Sequence, residues 1–254
     1  MTLAPDQSSI DLAARLDVHA TRSEVVRAAP ISPSLWELTL RGAASLLAGQ
    51  PGNDVMLSLQ GEKRLLRRRY SVRSVDEEND TLTLWMSTRH VGPGATFVQQ
   101  CSPGDQIDLV GPRGKILLDP LADWHLFVGD TCALGAFYRM AQSIEPPGRA
   151  IFIVEVDEPD DALTASFREG LGITGVFVNR DGRPPGDPTG VLRGLAAFSF
   201  PPDTGQAYLF GEFSTMNVAR MALMDRGLSA EQISFKAFWR AGQANQDQGE
   251  PARD

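Results

Sequence analysis

The chain has 254 residues, enough for one large domain or for two domains of about 100–150 residues each. Hydrophobic residues make up 42% of the chain and charged residues 22%, so it can bury a substantial core. The formal net charge is −8 at pH 7, which argues against nucleic acid or an anionic membrane surface as the main partner, because both repel an acidic protein.

Cysteine and histidine are too few for common metal centres. Cys101 and Cys132 do not form a C-x-x-C pair, and two thiolates cannot hold a four-thiolate iron–sulfur cluster or a structural zinc ion. The three histidines, His19, His90 and His125, lack the spacing of metal ligands. We therefore expect no metal site, and two free thiols in a reducing cytosol.

Both ends of the chain look unstructured. Residues 1–17 are polar and lack the apolar run of a signal peptide, so we expect a flexible N-terminus. Residues 243–254 are poor in apolar side chains and are expected to be disordered. No stretch approaches 18 apolar residues, so we expect no membrane span and a cytoplasmic location.

Residues 18–118 carry short apolar runs separated by turn signals, a pattern typical of an all-β domain. Because six such runs with little helix between them favour a closed sheet, we predict an antiparallel barrel. One short helix is predicted over Gly94–Gln100. The predicted strands are Val18–Ala28, Leu35–Leu40, Val55–Leu59, Tyr70–Val75, Thr81–Ser87 and Gln106–Val110.

Residues 119–242 change to alternating buried strands and amphipathic helices. This alternation predicts an α/β domain with a parallel sheet, whose ligands bind at the carboxyl ends of the strands. The predicted strands are Trp124–Gly129, Ala150–Val156, Gly175–Val178, Ala207–Gly211 and Ile233–Trp239. The predicted helices are Ala133–Ile144, Ala162–Glu169, Gly190–Ala197 and Ser214–Arg226.

The first motif with chemical content is Arg68-Arg69-Tyr70-Ser71-Val72-Arg73. An arginine there can bind a cofactor pyrophosphate, a tyrosine ring can pack on a flat isoalloxazine, and a serine can hydrogen-bond the flavin edge. The alternative is a basic edge strand whose arginines face water and prevent edge pairing.

A second motif, running from His90 through Gly94, Ala95 and Thr96 to Phe97, combines a glycine-rich turn with a helix start. Backbone N–H groups at a helix start form an anion site, and Phe97 could lie against a cofactor ring. The alternative is an ordinary turn with Phe97 in the core. Two further turns, Pro103–Asp105 and Gly111–Gly114, are interpreted as structural.

The order and spacing of the motifs resemble the siderophore-interacting protein family of FAD-containing ferric-siderophore reductases, in the ferredoxin-reductase-like superfamily. The resemblance extends from about residue 20 to residue 242. The residues that carry it are Arg68-x-Tyr70-Ser71-x-Arg73, His90 with Gly92-Pro93, Pro103-Gly104-Asp105, Gly111-Pro112-Arg113-Gly114, Ala122-Asp123-Trp124-His125-Leu126, Gly129-Asp130, Gly211-Glu212 and Phe238-Trp239-Arg240-x-Gly242.

This resemblance implies an activity and its partners. A family member binds FAD, accepts electrons from NADPH or NADH, or in some cases from ferredoxin, and reduces Fe(III) in a siderophore so that Fe(II) is released. The fold implied is an FAD-binding barrel followed by an NAD(P)-binding α/β domain, with the two cofactors meeting between them. We expect the protein to act as a monomer.

The resemblance also assigns residues by position. The segment Arg68–Arg73 would hold the flavin, with Arg68 on phosphate, while His90 and Gly94–Phe97 would lie at the pyrophosphate and adenine side. Asp130 and Thr131, with the residues up to Leu134, would lie where the nicotinamide dinucleotide approaches. Gly211 and Glu212 would end a strand where flavin and nicotinamide meet, and Trp239 is a further candidate for cofactor binding. The family usually has Ala-Ser-Arg-Trp at 94–97 and Glu at 131, so this chain departs from it at both cofactor sites.

Basic residues are candidates for an entrance that accepts an anionic iron chelate. They are Lys63, Arg64, Lys236 and Arg240, and the alternative is solvated surface charge. Two other functions stay open at this point. One is a reductase of free flavin or of a partner redox protein, and the other is a non-catalytic binding module that kept the fold.

Overall fold

A computed structural model describes residues 4–42, 44–47, 49–61, 64–89, 91–146, 148–162 and 173–243. The chain divides into two compact units, Met1–Leu118 and Asp119–Asp254. The predicted helix over Ala162–Glu169 and the predicted disordered tail lie, apart from their first residues, outside the described residues.

Six antiparallel strands close into a barrel in the first unit, in the order β1-β2-β5-β4-β3-β6, as the sequence predicted. Inward-facing aliphatic residues on alternate strand positions fill it, among them Val25, Leu38, Leu57 and Leu84. The strands are β1 (His19–Pro30), β2 (Leu35–Arg41), β3 (Asp54–Gln60), β4 (Leu65–Asp76), β5 (Thr81–Ser87) and β6 (Gln106–Arg113).

Strand β4 begins five residues earlier than the predicted Tyr70, so that the arginines at 67–69 are part of the strand. They pair with Ser58, Leu57 and Met56 of β3. Arginine is tolerated here because these side chains are only half-buried and have polar partners. A bulge between Val72 and Ser74 interrupts the pairing of β4 with β5.

Helix α1 (Gln7–Leu16) occupies the segment that the sequence predicted to be flexible. Asp6 caps it by accepting a hydrogen bond from the backbone N–H of Ser9 at 2.8 Å. Its Ala13 packs against Met56 and Val110 on the outside of the barrel. Residues 1–17 are polar on average, so their composition alone did not predict this narrow apolar face of α1. Two more helices belong to this unit, α2 (Ala44–Leu47) and α3 (Pro93–Gln100).

The second unit is a parallel sheet of five strands in the order β11-β10-β7-β8-β9, which confirms the predicted α/β fold. Strands β8 and β9 follow on one side of β7, and β10 and β11 follow on its other side. Parallel sheets of this kind bind ligands at this change of side, between β7 and β10. The strands are β7 (Trp124–Asp130), β8 (Arg149–Val156), β9 (Ile173–Asn179), β10 (Gly205–Glu212) and β11 (Ile233–Trp239). The helices are α4 (Leu134–Gln142), α5 (Thr189–Ala196) and α6 (Phe213–Asp225).

Across the described ranges, no helix combines the length and the hydrophobicity needed to cross a membrane. Neither Cys101 nor Cys132 is in a disulfide bond.

Candidate functional site

The three consecutive arginines of β4 have different environments. The Arg69 guanidinium forms a two-point ion pair with Asp54 of β3, at 2.9 and 2.6 Å, and the Asp54 side chain is 2% exposed. Arg67 donates from Nη2 to the Ser8 hydroxyl of α1 at 2.7 Å. Arg68 donates from Nη1 to the backbone carbonyl of Arg67 at 2.8 Å and shares a strand face with Tyr70. Arg69 and Arg67 therefore bind to neighbouring elements of this unit, whereas the Arg68 side chain lies on the same face of β4 as Tyr70.

Tyr70 and Gly94 bring the two predicted flavin motifs together. A Cβ atom placed on Gly94 would lie 1.7 Å from the Tyr70 hydroxyl oxygen and 3.0 Å from its ring carbon Cζ. The ring of Tyr70 is half-buried and packs on the barrel core. Only glycine at position 94 therefore lets the start of α3 approach this tyrosine so closely.

The first turn of α3 can receive an anion. Gly92 precedes the helix, Pro93 is its first residue, and no side chain caps it. The backbone N–H of Thr96 bonds to the Gly92 carbonyl at 2.9 Å, while the earlier N–H groups of a helix have no partner within the helix. Together with Arg68 and Tyr70, this uncapped start fits the phosphate and the ring of a flavin nucleotide.

The rest of the first motif is mainly structural. Val72 lies in the barrel core, so that only its backbone is available to a ligand. The Arg73 guanidinium is buried and lies 4.7 Å from the centre of the Trp85 ring, a cation–π contact. Ser71 is half-buried and pairs with Asp54 across the strands.

Phe97 is half-buried, and its placement against a cofactor ring stays a prediction. It packs against the barrel core and also lines a cavity of about 260 Å³ that includes Asp6, Arg22 and Asp108. Ala95 is buried and Thr96 is exposed. His90, like Lys63, lies outside the described residues.

At the carboxyl edge of the second unit's sheet, Asp130 organises three strand ends. Its carboxylate accepts hydrogen bonds from the backbone N–H groups of Cys132 and Glu212 and from the Trp239 indole Nε1, each at 2.9 Å. Burial raises the pKa of Asp130, although these three donors oppose the rise. Glu212 and Trp239, both predicted to bind a cofactor, thus meet at the carboxylate of Asp130, which was predicted to bind one too.

Glu212 is a capping residue. Its carboxylate accepts from the backbone N–H of Thr215 in α6 at 2.9 Å and from that of Ala241 at 3.2 Å. The hydroxyls of Thr131 and Thr215, both buried, have no hydrogen-bond partner among the described residues. Unsatisfied buried hydroxyls at the carboxyl edge are suited to a polar ligand such as a dinucleotide.

Lys236 and Arg240, the two residues of this unit that were predicted to bind substrate, are less exposed than expected. The Lys236 side chain is buried, with its ammonium 5.5 Å from the centre of the Phe238 ring. Arg240 is half-buried and its guanidinium lies 3.7 Å from the centre of the Phe213 ring. Only Arg240 is therefore placed near the surface.

Sequence reasoning missed a charged network after β8 and β9. The Arg180 guanidinium bonds to Glu155 at 2.9 and 2.8 Å and to Asp157 at 2.7 Å. Burial raises the pKa of Glu155, and the attraction of Arg180 counters this effect. One signal was available, because an acidic residue after the second strand of such a fold commonly faces a nucleotide ribose.

No group of three or more histidine, cysteine, aspartate or glutamate side chains in the described part of the chain could hold a metal ion.

Comparison with protein families covers both units. A model described as the siderophore-interacting FAD-binding domain matches residues 49–116, which include Arg68, Tyr70 and Gly94. A model described as siderophore-interacting protein matches residues 122–242, which include Asp130 and Trp239.

Individual proteins agree with these matches. Ferric vibriobactin reductase ViuB of Vibrio cholerae is 25% identical over 187 residues, covering 71% of this chain and 67% of its own. A siderophore utilization protein from T. fusca has a TM-score of 0.77 and 25% identity, covering 90% and 95%. A ferredoxin NADP+ reductase from Neisseria gonorrhoeae with bound FAD and NADP has a TM-score of 0.66 and 17% identity, covering 87% and 99%. The last match confirms the ferredoxin-reductase-like fold.

Proposed function

The chain belongs to the siderophore-interacting protein family, and on that premise we propose that it is a flavin-dependent ferric-siderophore reductase. It would take electrons from NADH or NADPH, hold FAD, and reduce the Fe(III) of a siderophore so that the more weakly bound Fe(II) is released. Residues 18–118 would form the FAD-binding domain and residues 119–242 the domain that receives the electron donor.

The contact of Tyr70 with Gly94 is the observation that supports this function most directly. It joins a basic strand and an uncapped helix start within the unit that matches an FAD-binding model. Arg68 would pair with the pyrophosphate, the Tyr70 ring would pack against the isoalloxazine, and Ser71 would hydrogen-bond the flavin edge. The first-turn N–H groups of α3, at Gly94 and Ala95, would add uncharged donors to phosphate.

The second unit would position the electron donor. FAD, when bound, would supply the capacity for hydride acceptance and for one-electron transfer to iron. Asp130 would keep the Trp239 indole and the Glu212 backbone in place at the carboxyl edge. Thr131 and Thr215 would give the donor their unsatisfied hydroxyls. Outer-sphere electron transfer to iron requires no acid or base from the protein.

The substrate would be recognised by charge. Among the described candidates, Arg240 is half-buried on the Phe213 ring and would meet an anionic ferric chelate. Lys63 would contribute from the β3–β4 connection, and the buried Lys236 would act only by its charge at a distance. The overall charge of −8 makes a local basic contact necessary for an anionic chelate.

A first experiment measures the purified protein directly. We expect flavin absorption in the visible spectrum, anaerobic bleaching by NADH or NADPH, and turnover of a ferric chelate that exceeds the turnover of free FMN. Faster reduction of free FMN than of any ferric chelate would identify a flavin reductase instead. Absence of flavin absorption, with no uptake of added FAD, would leave only a binding module.

A second experiment compares neighbouring arginines of the same strand. Arg68→Ala should abolish FAD occupancy without lowering the melting temperature of the apoprotein, because its guanidinium would serve the pyrophosphate. Arg67→Ala is the matched control, since its guanidinium bonds to Ser8 of α1. Full FAD retention by Arg68→Ala would show that the cofactor lies elsewhere.

A further inference from the structure

In a parallel sheet of this topology, residues at the end of the second strand, here β8, distinguish NAD from NADP. β7 is the first strand of the sheet and β8 is the second, lying beside it. In such folds an acidic residue after the second strand accepts a hydrogen bond from the adenosine ribose 2′-hydroxyl, whereas a nearby arginine accommodates a 2′-phosphate. Acidic residues and arginines are both present at this edge. The partners that the arginines already have therefore decide whether the site favours a 2′-hydroxyl or a 2′-phosphate.

Arg180 is already fully engaged. Its Nε and Nη2 lie 2.9 and 2.8 Å from Glu155 Oε2, and its Nη1 lies 2.7 Å from Asp157 Oδ1. The side chain is 6% exposed. To reach a phosphate, Arg180 would have to leave two buried carboxylates without their partner, which is strongly unfavourable.

Arg183 is the other cation of this edge. Its Nη2 donates to the backbone carbonyl of Asn179 at 2.8 Å and lies 3.7 Å from Glu155 Oε1. Its Nη1 lies 3.9 Å from Asp181, whose side chain is 66% exposed. Both carboxylates lower the attraction that Arg183 exerts on a further anion.

The local charge opposes a phosphate. The segments 155–161 and 179–183 contain six acidic residues against two arginines, a net charge of −4. The acids are Glu155, Asp157, Glu158, Asp160, Asp161 and Asp181. A phosphate monoester brings about two more negative charges, whereas a ribose hydroxyl brings none.

Glu155 offers the acceptor that a hydroxyl needs. Its Oε2 is held by Arg180, while its Oε1 has no hydrogen-bond partner among the described residues, although the side chain is buried. A buried acceptor without a donor is rare in proteins and is satisfied when a ligand donates to it.

We infer that this chain uses NADH in preference to NADPH, with Glu155 as the acceptor for the ribose 2′-hydroxyl and Asp157 as the residue that keeps Arg180 from a 2′-phosphate. This inference rests on the proposed function, because it concerns the electron donor of that reaction. Asp157 acts as a specificity-determining residue that touches Arg180 and not the nucleotide.

The test is calorimetric titration of the FAD-loaded protein with NAD+ and with NADP+. We expect NAD+ to bind at least about tenfold more tightly. Asp157→Asn removes the charge that holds Arg180 Nη1, and it should strengthen NADP+ binding about tenfold while changing NAD+ binding less than about twofold. Asp160→Asn is the matched control, because it removes an exposed charge of the same segment and should change NADP+ binding less than about twofold.

Equal or tighter binding of NADP+ to the unaltered protein would overturn the inference and leave the proposed function standing. Loss of NADP+ binding in Arg183→Ala, with NAD+ unaffected, would overturn it too, because Arg183 would then be a phosphate receptor. If neither nucleotide binds and neither NADH nor NADPH bleaches the flavin, the proposed donor fails together with the inference. The comparison within the unaltered protein stands even if Asp157→Asn does not fold.

Discussion

Asp54 and Asp108 of the barrel and Asp130 of the parallel sheet are buried carboxylates with different kinds of partner. In the barrel, Asp54 and Asp108 each pair with an arginine of a neighbouring strand, Arg69 and Arg22, at 2.6 Å. In the sheet, the hydrogen bonds to Asp130 come from two backbone N–H groups and an indole. The barrel carboxylates connect adjacent strands side by side, whereas Asp130 connects the ends of three strands.

This difference shows where each unit keeps donors for a ligand. In the barrel, Arg69 and Arg22 pair with Asp54 and Asp108, and the proposed anion site consists of the first turn of α3 together with Arg68. In the sheet, two backbone N–H groups bond to Asp130, and the buried atoms without a hydrogen-bond partner among the described residues include the hydroxyls of Thr131 and Thr215, Glu155 Oε1 and Arg183 Nε. The barrel therefore suits a phosphate, and the described sheet edge suits an uncharged hydroxyl donor.

The largest stability effect is expected at Asp130. Asp130→Ala removes the buried acceptor that three hydrogen bonds share, and we expect it to lower the free energy of unfolding by about 4 kcal/mol. Asp225→Ala is the control, because this side chain is exposed at the end of α6 and its loss should cost less than about 0.5 kcal/mol. Denaturant unfolding measures both, and equal small losses would mean that Asp130 does not organise the sheet edge.

The barrel ion pair should come next. Arg69→Ala removes the two-point ion pair with the buried Asp54 carboxylate and should cost about 3 kcal/mol. Arg27→Ala removes an exposed pair with Glu37 and should cost about 0.5 kcal/mol. If the two variants unfold at the same denaturant concentration, the pair with Asp54 contributes no more than a surface contact.

A smaller effect is expected at Gly94, and it separates cofactor binding from stability. Gly94→Ala places a methyl group against the Tyr70 hydroxyl, which must shift, and FAD affinity should fall about tenfold. Gly92→Ala is the control, because no atom lies within 4 Å of its added Cβ. Fluorescence titration of apoprotein with FAD measures both, and an unchanged affinity in Gly94→Ala would separate Tyr70 from the flavin.

The smallest effect is a pH dependence in the sheet. Burial lowers the pKa of His125, whose ring packs beside those of Phe127 and Tyr208. Because the unfolded chain takes up a proton near pH 6.5 that the folded chain resists, stability should fall as the pH drops below that value. His125→Phe should remove this part of the acid sensitivity. Unfolding curves at pH 7.5 and pH 5 test it, and an equal loss in both proteins would contradict it.

Much of the fold follows from local pattern. The alternation in Thr81–Ser87 and the apolar run at Trp124–Gly129 predict strands at nearly their observed bounds, because each pattern suits only one kind of buried surface. The start of β4 could not be predicted in this way, since Arg67–Arg69 enter a strand only with partners from Ser8 and Asp54, which are distant in sequence.

The sequence by itself determined the barrel and the wound sheet, the motif order that identifies the family, and the prediction that Arg68 to Ser71 meets a flavin. The tertiary structure decided how those residues are divided, assigning Arg69 to Asp54 and Arg73 to Trp85 and setting Tyr70 against Gly94. It also placed Glu212 and Trp239 on Asp130 and occupied Arg180 with two carboxylates. The physical reason is that the periodicity of apolar residues depends only on neighbours in sequence and predicts which face of a strand or helix is buried. The partner of a charged side chain, by contrast, comes from strands that meet only after folding.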